Sequence, residues 1–313
     1  MASQPLGVLV MAYGTPKNLD EVEAYYTHIR HGHAPTPELL TELKGRYEAI
    51  GGVSPLNEMT QAQGDGLQQI LNQDGGRPCK VYLGMKHTHP FIAETVAAMA
   101  DDHVEEAVSL VLAPHYSEMS VGSYQSAALD AAKQTGSPAL LPVLSWHLHP
   151  GFLAVLSQRV QEALLKFENP NDVMVIFSAH SLPERILEQS DPYPTQLHET
   201  GDAIAQRLGL NRHMFSWQSA GRTKEKWLGP DILTTLKDLA AKGQKQVLVC
   251  PAGFVSDHLE VLYDLDIEAK RLADQLGITF ERTRSLNADP LFLAALADVV
   301  RQRERLGTNR GEV

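Results

Sequence analysis

Cysteine is nearly absent from this chain. Cys79 and Cys250 are the only two, far apart and in no Cys-x-x-Cys pair. A structural zinc site or a four-cysteine iron–sulfur cluster needs more thiols, so both are excluded on count. Two isolated thiols fit a reduced, cytosolic protein. Positive charge is also scarce: 27 Lys and Arg face 38 Asp and Glu, a formal charge of −11. That balance argues against nucleic acid or an anionic membrane surface as a partner. It also means that an anionic substrate needs a local cationic patch. No apolar run approaches the ~20 residues of a membrane helix. The Met-Ala-Ser-Gln-Pro start has neither the basic nor the apolar region of a signal peptide. The expectation is a cytoplasmic protein with no membrane insertion. Nucleotide fingerprints of the P-loop and dinucleotide types are missing, as is a G-x-S-x-G nucleophile elbow.

What is present is a rhythm. Short apolar runs at Gly7–Met11, Lys80–Leu83, Ser109–Ala113, Ala139–Leu144, Val173–Ser178, Met214–Trp217, Gln246–Pro251 and Ile278–Arg282 alternate with amphipathic stretches such as Pro55–Asn72, Pro90–Ala100 and Gly151–Phe167. Strand, helix, strand at this spacing reads as α/β architecture with parallel sheets and crossover helices. A chain of 313 residues exceeds one ordinary core, so two units are expected. The eight runs split four and four around Ser145–Pro150. The reading is two similar Rossmann-like units, each a four-stranded mainly parallel sheet flanked by helices, with a cleft between them. The first covers 1–146 and the second 147–287. A last helix, Pro290–Arg305 within 288–306, folds back on the first unit, and 307–313 is a disordered tail. No internal sequence repeat accompanies this split.

Polar residues stand directly after the strands: Tyr13, Lys86-His87, His115-Tyr116, His180-Ser181 and Gly253-Phe254. In open α/β sheets ligands bind beyond the carboxyl ends of strands, so these positions point to one shared cleft. His180 ends an apolar run. Ser181 and Glu184 have capping-box spacing, which places His180 before a helix N-terminus, where the helix dipole keeps its ring neutral. A neutral ring can bind metal or take a proton; the plainer alternative is a core histidine bonded to backbone. Asp257, Glu260, Asp264 and Glu268 fall three or four apart, on one face of a helix. Like charges at that spacing repel by ~0.2–0.5 kcal/mol per pair, so a cation beside them is expected. The alternative is an N-cap at Asp257 followed by a solvated acidic face. Arg30, His31, His33, Lys44, Arg46 and Tyr47 with Ser54 gather positive charge and donors, as an anion clamp would.

Together these segments resemble the ferrochelatases, which insert ferrous iron into a porphyrin. The likeness runs nearly end to end. It rests on Leu9–Pro16, Arg46–Gly52 with Ser54-Pro55, Leu112–Ser117, Ser178–Pro183, Asp191–Pro194, Trp217–Ser219, Trp227–Asp231 and Gly253–Asp264. The branch most similar is the soluble, cluster-free enzymes of Gram-positive bacteria, which act on coproporphyrin III. The resemblance implies a chelatase-like fold and a lyase of haem biosynthesis that makes Fe-coproporphyrin III from coproporphyrin III and Fe(II). It implies that His180 and Glu260 face each other and handle metal and pyrrole protons. Tyr13 lies over the macrocycle and is axial to the product iron. Arg30, Arg46, Tyr47, Ser54 and Tyr124 hold the porphyrin and its propionates, with Lys86, His87 and Trp227 as further contacts. Asp264 and Glu268 extend Glu260 to an outer site for Mg(II) or another hydrated divalent ion. No tightly bound cofactor, a monomeric state and transient contact with neighbouring haem-pathway enzymes are also implied. His31 and His33 depart from the arginines that relatives can carry there.

Alternatives remain at this level: a protoporphyrin IX ferrochelatase, a cobalt chelatase for another tetrapyrrole, or a two-lobed iron- or haem-binding protein without catalysis.

Overall fold

The computed structural model describes residues 4–307; most of the expected tail, 308–313, lies outside them. Eight strands form two four-stranded sheets. The first holds β1 (Leu6–Ala12), β2 (Cys79–Met85), β3 (Glu106–Val111) and β4 (Ala139–Pro142), in the order β2-β1-β3-β4. The second holds β5 (Met174–His180), β6 (His213–Gln218), β7 (Gln246–Cys250) and β8 (Thr279–Arg282), in the order β6-β5-β7-β8. Every pairing within both sheets is parallel. The fold is therefore two α/β units of the same strand order, as the alternating pattern predicts.

Burial explains why the strands could be read. All seven residues of β1 are buried. An inner parallel strand is covered on both faces and becomes a continuous apolar run. The edge strand β2 is buried only at its ends and varies in polarity between them.

The helices are α1 (Val22–Ile29), α2 (Pro37–Ala49), α3 (Leu56–Gln73), α4 (Ile92–Asp101), α5 (Ser123–Thr135), α6 (Pro150–Leu164), α7 (Tyr193–Leu208), α8 (Ile232–Ala241), α9 (Lys270–Gln275) and α10 (Pro290–Leu306). The chain winds as a π-helix over Glu118–Gly122 before α5 and over Val261–Ala269 before α9. Helix α10 packs against α3 and α6. Gly66 makes the first contact close: a Cβ there would stand 2.4 Å from the Leu293 side chain. One apolar cluster runs through both halves, from Leu6, Val8 and Leu110 to Val175, Phe177 and Leu248, with Phe292 and Leu296 of α10 inside it. The two sheets thus share a core, and their strands' carboxyl ends are held in fixed relation.

Candidate active site

The second sheet supplies a histidine–carboxylate–histidine group. His180 is the last residue of β5. Its Nε2 lies 3.6 Å from Glu260 Oε1, and His258 Nε2 lies 3.5 Å from Glu260 Oε2. Each of these side chains keeps some exposure, 33% for His180 and 36% for Glu260. Gly253 lets the second segment reach the first. A Cβ at Gly253 would stand 2.5 Å from Ala179 Cβ, so only glycine allows the chain after β7 to pass this close to His180. The rings of Phe254 and Trp227 flank His180, each with its centroid 6.4 Å away.

The electrostatics differ from what the sequence suggests. Burial works against a charged His180, but the Glu260 carboxylate and the Ser181 carbonyl outweigh it and raise its pKa. Burial likewise works against a charged Glu260, yet the two imidazoles hold it well below the usual carboxylate range. The dipole argument for a neutral ring fails because its helix is missing. The residues after His180 make only a short 3-10 turn, Glu184–Gln189. The Ser181 hydroxyl is spent on the Leu228 carbonyl at 2.8 Å, and Glu184 pairs with Lys226 at 2.9 Å, so no capping box forms.

The carboxylate row is also revised. Asp257 is neither N-cap nor row member: it accepts from Arg282 (3.1 Å), Ser285 (2.7 Å) and Asn287 (2.8 Å). Glu260 stands at the N-terminal edge of the π-helical stretch, and Asp264 and Glu268 follow within it rather than on an α-helix. Residues four apart still lie nearly above one another in that wider i→i+5 winding. Asp264 is 5% exposed. Burial and the Glu260 charge raise its pKa to about 6, against the Ser219 hydroxyl and Arg46, which favour the anion. Among the described residues Glu268 pairs with no cation. Nor do three His, Cys, Asp or Glu side chains converge anywhere among them as a ready metal cage. Both Asp264 oxygens are engaged, Oδ1 by Arg46 and Oδ2 by Ser219, so Glu268 is the open carboxylate of the row.

The first sheet supplies a wall of a different kind. Tyr13, just after β1, is 41% exposed. Its ring centroid is 4.4 Å from that of His87, just after β2. Burial raises the pKa of Tyr13, Tyr25, Tyr47, Tyr124 and Tyr193, and the Glu260 charge adds to every one of these shifts. Tyr13, Tyr25, Tyr47 and Tyr124 come from the first half of the chain; Tyr13 is exposed, whereas Tyr47 and Tyr124 are buried behind it. Lys86 lies 4.7 Å from the Tyr124 ring centre and donates to Ser123 at 2.6 Å. Burial lowers its pKa. Burial, with Lys86, His28 and His31 nearby, pushes His87 down to about 3, so its ring is neutral.

The expected anion clamp is only partly in place. Arg30 caps the end of α1 and bonds the His33 carbonyl at 3.3 Å, with no carboxylate partner among the described residues. Arg46 faces Asp264 at 3.3 Å and Glu42 at 3.4 Å, and its guanidinium lies 4.8 Å from the Tyr263 ring centre. Arg222 pairs with the same Glu42. Tyr47 is 2% exposed and bonded to Thr15 at 3.1 Å. Ser54, 7% exposed, accepts from the Leu56 amide at the start of α3. Tyr47 and Ser54 thus brace the clamp in this conformation rather than front it. His115 leaves the cleft altogether: it is 1% exposed and bonded to Thr200 at 2.9 Å. A cavity of about 780 Å³ lies along α1, lined by Asp20, Glu23, Thr27, His28 and His31. It does not include His180 or Glu260.

Sequence reasoning placed Gly253-Phe254 at a strand end beside the cleft but gave His258 no role, although it lies inside the segment 253–264 that carries Glu260. The signal was the imidazole two residues before that carboxylate. Ser219 gave no signal of its own; its grip on Asp264 exists only in the folded chain.

Known proteins resemble this chain over nearly its whole length. The ferrochelatase family model matches residues 5–304. The chain is 48% identical over 305 residues to the coproporphyrin III ferrochelatase of Halalkalibacterium halodurans, covering 97% of this chain and 98% of that one. It is 46% identical over 304 residues to the coproporphyrin III ferrochelatase of Bacillus subtilis, covering 96% and 98%. Among solved structures, SirB from Bacillus subtilis with Fe3+ superposes with a TM-score of 0.60 at 9% identity, over 99% of this chain and all of the other. At that identity the last likeness concerns the fold alone.

Proposed function

Because the chain belongs to the ferrochelatase family, we infer that it inserts Fe(II) into coproporphyrin III and releases Fe-coproporphyrin III, as a lyase of haem biosynthesis. Near-full-length identity to coproporphyrin III ferrochelatases supports the substrate. The observation that carries the mechanism is the Glu260 carboxylate held between two imidazoles, His180 and His258.

The reaction exchanges one Fe(II) for two pyrrole protons. A planar porphyrin keeps its nitrogen lone pairs in the ring plane and its two N–H groups in the way of the metal. Binding energy from peripheral propionates can hold the ring bent against the tyrosine wall. On our reading Tyr13 lies over the macrocycle and is axial to the product iron, while Arg30 and Arg46 take propionates. His180, in its neutral form, accepts the pyrrole protons one at a time and passes each on to solvent, and Glu260 stabilises the transient imidazolium, which is the direction its charge moves the His180 pKa. The same pair meets the incoming iron. Glu268 and Asp264 provide an outer hold for a hydrated divalent ion such as Mg(II). No resident cofactor is needed, since iron is a substrate. Among the described residues no helix is long and apolar enough to cross a membrane. Cytoplasmic, monomeric action with transient handover to other haem-pathway enzymes belongs to the same reading.

Anaerobic incubation with Fe(II) and coproporphyrin III, followed by visible absorption, tests the assignment. The expected result is the product spectrum, formed faster than with protoporphyrin IX. Failure with coproporphyrin III alongside turnover of protoporphyrin IX, or of Co(II) with another tetrapyrrole, would reassign the enzyme within its fold. Tight porphyrin binding without turnover would leave only a binding protein.

A further inference from the structure

A buried polar bridge joins the two walls. Gln63 lies on α3, in the first half of the chain, and is 1% exposed. Its side chain reaches the second half twice: Nε2 donates to Ser256 Oγ at 2.9 Å and to the Asn287 carbonyl at 2.9 Å. A carbonyl only accepts, so the second bond fixes which end of the amide points there. Beyond the bridge, the Ser256 carbonyl receives Nδ1 of His258 at 3.0 Å. In that bond Nδ1 donates, and Nε2 is turned towards Glu260. Asn287 then fastens the same loop. Its amide donates to the Val255 carbonyl at 2.8 Å, its Nδ2 donates to Asp257 at 2.8 Å, and its Oδ1 accepts the Asp257 amide at 2.8 Å. Asn287 holds this position with φ of 46°, a left-handed backbone that asparagine tolerates better than most residues.

Stability alone is a poor account of Gln63. Its Oε1 is buried without a partner, a cost that an apolar side chain of the same length would avoid. We propose that Gln63 is a positioning residue, which through Ser256 and Asn287 sets the height and angle of the Val255–Glu260 segment relative to the porphyrin-facing wall. Gln63 touches neither reactant in this arrangement. It registers the metal-handling group against a ring held by the other half of the chain. Small misplacements of such groups are costly, because proton and metal transfer both need reacting atoms in near-contact.

The inference rests on the chelatase reading above. Its test uses the full chain with Gln63→Met, Ser256→Ala, Ser256→Thr and the pair Gln63→Met/Ser256→Ala. Gln63→Met keeps the length and removes both bonds. It should lower kcat between ~10- and ~100-fold, the scale seen when outer-shell partners of reactive groups are lost. Coproporphyrin affinity, read by tryptophan quenching, should stay within about threefold on the same argument. Ser256→Ala should reproduce the loss, Ser256→Thr should restore most of the rate, and the double variant should be no slower than the worse single one. Equal losses in kcat and porphyrin affinity would mean a general structural role and overturn the proposal. So would a folded Gln63→Met with unchanged kcat. If Gln63→Met does not fold, Ser256→Ala decides by the same two readings. An inactive parent enzyme would instead overturn the chelatase reading, and this inference with it.

Discussion

The crossovers after β3 and after β7 are counterparts in the two units, and they have been put to opposite uses. Each leaves the third strand in its sheet's order, makes a π-helical stretch and continues into an α-helix. In the first, Glu118 receives the Tyr116 hydroxyl at 2.6 Å, its amide donates to Asp191 at 2.9 Å, and Ser117 caps the turn. Those polar groups are spent on one another and hold the two halves together. In the second, the turn has no side-chain cap, and Glu260 is left between His180 and His258 with a third of its surface open. The shared architecture fixes where a site can form, and the local partners decide whether the carboxylate there is bonded away, as Glu118 is, or left open, as Glu260 is. π-helical winding is common to both, so it does not by itself mark a carboxylate as reactive.

The widest break in this comparison comes from neutralising each carboxylate in turn. Glu260→Gln should lower iron insertion by ~10²–10⁴-fold, the range for losing a positioned acid–base group. Glu118→Gln should leave the rate within about threefold, since a surface hydrogen bond contributes only ~1 kcal/mol, mostly to stability. Parallel rate assays on the two variants check this. A large loss in Glu118→Gln would show that both crossovers serve the chemistry.

A smaller effect sharpens the division between walls. Arg30→Ala should weaken coproporphyrin III binding by ~1.5–3 kcal/mol, one charged hydrogen bond, and protoporphyrin IX binding by less. Four propionates offer more anionic handles than two. Fluorescence titrations with both porphyrins measure it, and equal losses would place Arg30 outside the propionate clamp.

Asp264 provides a pH test. The folded chain holds its proton up to about pH 6, whereas the ordinary value is 3.8. The folded state therefore binds more protons between those values, and stability from this group falls as pH rises from 3.8 to about 6, then levels. Asp264→Asn should consequently gain in melting temperature relative to the parent as pH rises from 4 to 7, with no further gain above. A difference independent of pH would mean that Arg46 and Ser219 fully compensate the buried charge.

The smallest effect lies at the outer end of the row. Glu268→Gln should stabilise the metal-free protein by ~0.2–0.5 kcal/mol, the scale of one like-charge pair. It should also reduce the further stabilisation by Mg(II), because a hard cation needs its oxygen ligands. Thermal scans with and without Mg(II) read both terms. A parent protein indifferent to Mg(II) would retire the outer site.

The fold was legible because inner parallel strands announce themselves: β1 and β5 are apolar almost throughout, since both faces are covered. The positions of His180 and Tyr13 followed from the rule that sites form at strand ends. The π-helical winding was not legible, because carboxylates four apart suit either helix. The proton affinity of His180 was misjudged for want of tertiary partners: Glu260, 80 positions on, raises it, and no local helix dipole lowers it. Arg46 was read as free for propionates, while its partner Asp264 is 218 positions away. Gln63 lies unremarked within the amphipathic stretch Pro55–Asn72, and its partners Ser256 and Asn287 are close only in the folded chain.

The central claim is that one wall holds the porphyrin and the other handles metal and protons. It is tested most directly by titrating His180→Ala with coproporphyrin III and then adding Fe(II) to the complex under anaerobic conditions. The account predicts porphyrin affinity within several-fold of the parent and almost no product spectrum. Near-normal iron insertion, or loss of porphyrin binding in step with activity, would contradict it.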